Sequence, residues 1–154
     1  SGLSVLLTQR TAHLNDHAGQ VAFPGGRRDG ADAGPVATAL REAEEEIGLT
    51  ADQIEVIGCM PEFCTGTGFR VTPVLALVTP PLNLKLDDFE VAEVFEVPLD
   101  AMQVDGFWGR VESEFKGNKA EFWAAHWQQY YVWGATAGML VNLSTLLRLT
   151  RSGD

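Results

Sequence analysis

An α+β fold, a mixed β-sheet with helices packed on its faces, is what this sequence predicts. Three observations carry it. Short apolar runs with strand character outnumber helical stretches. The two clear helical patterns fall mid-chain and at the C-terminal end. And 154 residues, 45% of them hydrophobic, suffice for one continuous core. No repeat or composition shift marks a boundary, so residues 1–154 are expected to form a single domain.

The elements follow in order. Residues 3–8 are a short, mostly apolar run suited to a buried strand, and residues 11–19 are polar and read as a loop. Residues 20–23 are a second strand candidate, stopped by Pro24-Gly25-Gly26. Residues 27–35 form a loop with Asp29, Gly30, Asp32 and Gly34. A helix then starts with Gly34 as cap and Pro35 in the first position, and Gly48 ends it as a left-handed cap. Residues 55–60 and 71–78 read as strands, with Pro73 suggesting an edge or bulge. Thr79-Pro80-Pro81 is a break, residues 91–97 another strand, and residues 99–102 a short helix or turn. Residues 130–133 are a short aromatic strand or helix lead-in, and residues 136–149 carry apolar residues at helical spacing.

Net charge is −10, which disfavours nucleic acid as a partner but not a small anion, because bound cations reverse the local sign. No apolar run approaches the roughly 20 residues a bilayer span needs, and no basic n-region opens the chain, so neither a membrane anchor nor a signal peptide is expected. The apolar run directly after Ser1-Gly2 suggests a strand missing upstream, or disordered. Cys59 and Cys64 read as reduced thiols, consistent with a cytoplasmic setting. His13, His17 and His126 are spaced too loosely for a metal site. The aromatic residues Phe122, Trp123, Trp127, Tyr130, Tyr131 and Trp133 suit a core or oligomer interface better than base stacking.

On a helical wheel, Val36, Ala39, Leu40, Ala43 and Ile47 share an apolar arc that must face the core. Glu42, Glu45 and Glu46 share a second arc beside it, and Glu44 points elsewhere. Like charges at i, i+4 destabilise a helix by a few tenths of a kcal/mol, and these also sit at the negative end of the dipole. A hard divalent cation relieves both penalties, whereas the competing reading is a solvated acidic face.

The segment Gly26…Arg41-Glu42-Ala43-Glu44-Glu45-Glu46-Ile47-Gly48-Leu49 resembles the Nudix box. The second half of that motif matches at every fixed position. The first half departs: Ala33 stands where its first Glu belongs and Gly26 lies one residue early, both repaired by a one-residue insertion with Asp32 in place of the Glu. The segments Leu6-Leu7-Thr8-Gln9-Arg10-Thr11-Ala12 and Gly19-Gln20-Val21-Ala22-Phe23-Pro24-Gly25-Gly26 are similar to the signature of the coenzyme A pyrophosphatase branch. So are Thr67-Gly68-Phe69-Arg70, Val97-Pro98-Leu99 and Trp133-Gly134-Ala135-Thr136-Ala137. The basic residue that branch often has near Asn15-Asp16 is missing, and the likeness is weakest over residues 116–129.

The resemblance implies a Nudix α/β/α sandwich, with a mixed sheet between helices. It also implies hydrolysis of coenzyme A to 3′,5′-ADP and 4′-phosphopantetheine with Mg²⁺ or Mn²⁺. By the same resemblance Glu42, Glu45 and Glu46 are metal ligands, with Glu42 also a candidate water-orienting base. Arg41 holds a glutamate in position, and Gly25 and Gly26 let backbone approach the metal loop, Gly26 counted with the metal site. Arg10, Arg70, Gly25 and Asp32 are the candidate substrate contacts. Glu90 is a candidate base or extra ligand, with a solvated acid as the competing reading. A small diphosphate is the expected partner, and a homodimer is the default expectation.

Three rivals stand beside this reading: a Nudix hydrolase for another nucleoside diphosphate derivative of the ADP-ribose type, a coenzyme A- or nucleotide-binding module without catalysis, favoured by Ala33, and an isopentenyl diphosphate isomerase relying on Cys64.

Overall fold

The structure is a computed structural model, and it describes residues 2–15 and 17–152. Asp16, part of the position where a basic residue is missing, lies outside the described residues. In chain order the elements are β1 (Ser4–Arg10), β2 (Val21–Ala22), α1 (Pro35–Ile47), β3 (Ile54–Cys59), β4 (Phe63–Cys64), β5 (Arg70–Val71), β6 (Val74–Val78), β7 (Val91–Pro98), α2 (Leu99–Met102), β8 (Gly109–Phe115), β9 (Asn118–Trp127), β10 (Tyr130–Trp133) and α3 (Gly134–Ser152). The α+β class expected from the pattern is the class adopted. Among the described residues no helix is long and apolar enough to cross a membrane.

The chain divides into two compact units, Thr8–Val94 and the residues on either side of it, and the boundary falls inside β1 and β7. In Thr8–Val94, β1 pairs antiparallel with β2 through Thr8↔Ala22 and Gln9↔Val21. Next, β3 pairs with β6, and a register shift between Val56 and Gly58 leaves Ile57 extra and exposed, as a bulge requires. The stretch 71–78, expected as one strand, is two. Pro73 offers no N–H to a ladder; its carbonyl instead accepts the Met60 N–H at 2.9 Å, so pairing restarts at Val74. Ala43 and Ile47 of α1, Leu49 just beyond it, and Val21 and Val91 are buried apolar residues of this unit.

The other unit is built on the antiparallel sheet β10-β9-β8, against which α3 packs. Alternation in β10 buries Tyr130 and Val132 and exposes Tyr131 and Trp133. Tyr130 stacks on Phe95 of β7 with ring centroids 3.6 Å apart. Met102, Val97, Ala137 and Leu140 are among the other buried residues of that core. The β8–β9 hairpin was not expected from the sequence. Its turn is Lys116-Gly117, both left-handed at φ 51° and 79°, as a tight two-residue hairpin turn requires.

Candidate active site

The acidic helix sits in the Thr8–Val94 unit, and its ends are fixed by its sequence. Gly34 precedes Pro35, whose missing N–H costs nothing in the first turn. At the far end Gly48 takes φ 72°, and its N–H donates to Glu44 O at 2.9 Å. A side chain there would also meet Lys85 N at 2.8 Å, so glycine is required twice over. The last carbonyls of α1 are capped by backbone from the following loop: Lys85 N–H donates to Ile47 O and Asp87 N–H to Glu46 O. That docking brings Glu90, the last residue of the turn from Asp87, close enough for its charge to act on Glu42 and Glu46.

Arg41 organises the helix face. Its Nε and Nη2 donate to Asp32 Oδ1 and Oδ2, both at 3.1 Å, in a fork. Nη1 donates to Glu42 Oε1 at 3.0 Å and Glu45 Oε2 at 3.2 Å, and Nη2 also to the Arg27 carbonyl at 3.1 Å. Asp32 in turn accepts the Thr38 hydroxyl and the Asp29 N–H at 2.8 Å each, both on Oδ2. Arg41 first, then the Asp29 N–H, holds the Asp32 carboxyl far below its ordinary range against the opposing effect of burial.

Glu46 is buried, and its Oε2 accepts the Gly25 N–H at 3.0 Å. Burial, with the charges of Glu42 and Glu90 added, pushes its pKa up to about 7, while the Gly25 N–H and the Arg10 guanidinium pull it down. Glu42 is also raised, first by burial, against the pull of Arg41. Gly26 lies directly on Glu42: a Cβ there would stand 2.6 Å from Oε1 and 2.7 Å from Cδ. Backbone of the glycine turn therefore meets carboxylates of α1, and at Gly26 no Cβ fits beside Glu42 as it stands.

The profile of the NUDIX domain matches residues 1–116. The chain belongs to the Nudix family. Two similar relatives bear the description uncharacterized Nudix hydrolase NudL. The Shigella flexneri protein is 42% identical over 146 residues, covering 95% of this chain and 76% of the relative. The Escherichia coli K12 protein is 44% identical over 140 residues, covering 91% and 73%. Among solved structures, the Nudix hydrolase RenU of M. smegmatis aligns with a TM-score of 0.52 at 32% identity over 64% of this chain and 62% of that one. A C. elegans Ap4A hydrolase binary complex aligns with a TM-score of 0.53 at 21% identity over 63% and 70%, a likeness of fold alone.

In this Nudix hydrolase the residues singled out by sequence separate into those drawn together and those not. Glu42, Glu46, Gly25, Gly26 and Arg41 meet at the glycine turn, with Arg10 and Glu90 acting on Glu46 through charge. Glu45 is tied to Arg41 but its side chain is 59% exposed. Asp32, expected at the substrate, is buried and directed at Arg41, Thr38 and Asp29 instead; its oxygens are already taken. Arg70 is exposed on β5 in a 3.7 Å ion pair with Glu62. Cys64, the isomerase candidate, is an exposed thiol on β4 opposite Arg70.

Two residues, partners of Asp32 and Arg27, were given no role from the sequence. Thr38, buried in α1, steers Asp32, and its signal was a β-branched hydroxyl inside a helix where propensity disfavours one. Phe69, exposed, carries the Arg27 guanidinium 5.3 Å from its ring centre; its signal was the Thr67-Gly68-Phe69-Arg70 motif.

Nudix hydrolases as a class use divalent metal ions. Among the described residues no group of three or more His, Cys, Asp or Glu side chains stands at metal-ligating spacing. The reason is local: Arg41 draws Glu42 and Glu45 toward itself, and Glu46 turns to the Gly25 N–H. The donor chemistry nonetheless fits a hard cation. Glu46 is buried and Glu42 half-buried, the carboxyl pKa of each raised first by burial and then by neighbouring acids, beside backbone that leaves no room for a Cβ at Gly26.

Proposed function

We propose that this Nudix hydrolase cleaves the diphosphate of coenzyme A or its derivatives, giving 3′,5′-ADP and 4′-phosphopantetheine, with Mg²⁺ or Mn²⁺. One observation carries the reading. The two segments that resemble the coenzyme A branch pair with each other: β1 and β2 are joined through Thr8↔Ala22 and the Arg10 N–H to Gln20 O bond at 2.9 Å. That hairpin leads directly into Gly25 and Gly26 against Glu46 and Glu42, so the segment suggestive of substrate and the acidic helix belong to one arrangement.

In this reading Glu42, Glu45 and Glu46 hold the cation, which supplies positive charge against the diphosphate and lowers the pKa of water in the site. Arg41 is a positioning residue for Glu42 and Glu45, and Asp32 and Thr38 position Arg41. Arg10, whose charge acts on Glu46, contacts a phosphate, with Arg70 reaching the substrate from β5. Water adds across the P–O–P linkage: one P–O bond forms, one breaks, and the bridging oxygen leaves on one of two phosphate monoesters. Residues 1–154 act together as one catalytic domain, which limited proteolysis would show as joint protection of both units.

The test is turnover of coenzyme A, ADP-ribose and nucleoside triphosphates with either metal, with products resolved by mass. Coenzyme A should be preferred and yield 3′,5′-ADP, and Glu46→Gln should release it roughly a hundredfold more slowly. Preference for ADP-ribose would overturn the substrate, and an unslowed Glu46→Gln the site.

A further inference from the structure

We propose that Arg27, held over the Phe69 ring beside the glycine turn, binds a phosphate monoester on the ribose of the substrate and so sets a preference for 3′-phosphorylated nucleotides. This deepens the coenzyme A reading and rests on it. The case begins with charge. The chain has 21 acidic residues against 11 lysines and arginines, so a guanidinium at its surface is ordinarily drawn to an oxygen. Arg28, Arg41, Arg70, Arg110 and Arg148 each meet a carbonyl or carboxylate oxygen. Arg27 does not. Among the described residues its guanidinium meets only the Phe69 ring, 5.3 Å from the ring centre. Both side chains are exposed, Phe69 at 46%, so a ligand reaches them from solvent. A cation over an aromatic face is held by the ring quadrupole, which leaves its N–H donors unused.

Backbone contacts place this pair at the glutamate site. Arg27 follows Gly26, where a Cβ would stand 2.6 Å from Glu42 Oε1, and the Arg27 carbonyl accepts Arg41 Nη2 at 3.1 Å. Its own carbonyl therefore ties Arg27 to the glutamate-bearing face of α1. From there the guanidinium lies no more than roughly 14 Å from Glu42 Oε1, whichever rotamer it takes. Phe69 closes the hairpin between β4 and β5. Its N–H donates to Thr65 Oγ1 at 3.0 Å and its carbonyl accepts the Thr65 N–H at 2.8 Å, which fixes the backbone that carries the ring.

The chemistry of the guanidinium selects the ligand. Its planar edge matches two oxygens of one phosphate at once. In the proposed reaction the scissile diphosphate faces the glutamates and their cation. A coenzyme A substrate brings one further dianion, the phosphate on the ribose 3′ oxygen, a single sugar away from the diphosphate. A chain of net charge −10 repels that dianion unless a cation meets it. Arg41 has no capacity left, since its N–H groups already serve Asp32, Glu42, Glu45 and the Arg27 carbonyl. Arg27 has. The pantetheine arm is uncharged and gives a guanidinium nothing comparable, and ADP-ribose carries no such monoester, so neither accounts for a cation kept open here. Phe69 is a positioning residue: it holds the guanidinium away from the surrounding acids.

Coenzyme A and 3′-dephospho-coenzyme A differ by this group alone, and their comparison tests the assignment. With MgCl₂ the parent should show kcat/KM about tenfold higher for coenzyme A, with the difference in KM rather than kcat. Arg27→Ala should bring the ratio close to one. Phe69→Leu should lower it about threefold, and Phe69→Tyr should keep it. Native melting of each variant checks that these exposed substitutions leave the fold intact. Equal kcat/KM for the two compounds in the parent, or the parent ratio in Arg27→Ala, would overturn the proposal while leaving the coenzyme A reading in place. The parent ratio in Phe69→Leu would remove the ring from it. Turnover of neither compound would end the coenzyme A reading on its own, and calorimetric titration with 3′,5′-ADP and 5′-AMP then decides the matter. Tighter binding of 3′,5′-ADP that is lost in Arg27→Ala would uphold the phosphate site, and equal affinities would overturn it.

Discussion

Arg41 has five N–H donors, and each has an acceptor: two on Asp32, one each on Glu42 and Glu45, and the Arg27 carbonyl. Lysine has neither the reach nor the planar fork to replace it. The Asp32 carboxylate completes the fork, and its depressed pKa has a consequence with a definite sign. A carboxyl whose folded value lies below its ordinary 3.8 contributes stability that is present above that value and lost as pH falls through the folded value. Asp32→Asn should therefore lower the melting temperature at neutral pH and flatten the acid limb of the stability profile below about pH 4, which calorimetry across pH would read. With Arg41 loosened, affinity for Mn²⁺ should drop roughly 10–100-fold. An acid limb identical to the parent's would remove Asp32 from this role. The glycine turn yields a sharper contrast. Gly26→Ala pushes a methyl to 2.6 Å from Glu42 Oε1, and a flexible carboxylate can move aside at little cost in stability but not without leaving its place. We expect kcat to drop about a hundredfold with melting nearly unchanged. Gly25→Ala is the control: its Cβ would meet only Phe23 O, at 3.9 Å, and its N–H to Glu46 remains. Equal rates for the two variants would argue against steric control of Glu42.

At the scale of elements, α1 was the most legible part of the chain because local residue signals mark both its ends. Gly34-Pro35 and Gly48 mark the observed Pro35–Ile47 span, and backbone of the 85–87 loop then caps its last carbonyls. Gly48→Ala should cost at least about 2 kcal/mol in urea unfolding, since it forces a left-handed residue and a contact with Lys85 N. A change within a few tenths of a kcal/mol would mean the cap relaxes freely. The wheel placed Glu42, Glu45 and Glu46 together, yet it could not say that Glu46 is buried while Glu45 stays in solvent. That difference comes from the glycine turn, 21 residues earlier, which covers one glutamate and not the other. The contacts of Asp32 are hidden from the sequence for the same reason: its partners Arg41 and Thr38 lie nine and six residues away, on a helix whose orientation to the loop no local pattern encodes. The β8–β9 hairpin escaped detection because about half of its strand residues are Gly, Asn, Ala, Glu or Lys, poor strand formers individually. They are held by long-range pairing, including Glu114 opposite Lys119, the Arg110–Glu121 ion pair and Arg110 over Trp123 at 4.8 Å.

At the scale of the whole molecule, a net charge of −10 sets a background against which site binding must be separated from general screening. Any cation reduces self-repulsion among 21 acidic residues, so a rise in melting temperature with Mg²⁺ is not by itself a sign of a site. The two effects differ in their dependence on concentration and on sequence. A ligand that binds only the folded chain stabilises it by an amount growing as the logarithm of its concentration above Kd, about 2.7 kcal/mol at a hundredfold excess. Screening is reproduced by KCl at equal ionic strength. Melting should therefore rise further with MgCl₂ or MnCl₂ than with matched KCl, and the excess should vanish in Glu46→Gln while the KCl response stays. EDTA should return the parent to its metal-free melting point. Glu46→Gln should in addition melt higher than the metal-free parent at pH 8. It keeps a carbonyl oxygen for the Gly25 N–H but removes a buried negative charge that faces Glu42 and Glu90. If the divalent excess survives in Glu46→Gln, the cation binds elsewhere on the acidic surface, and the glutamates of α1 lose their assigned task.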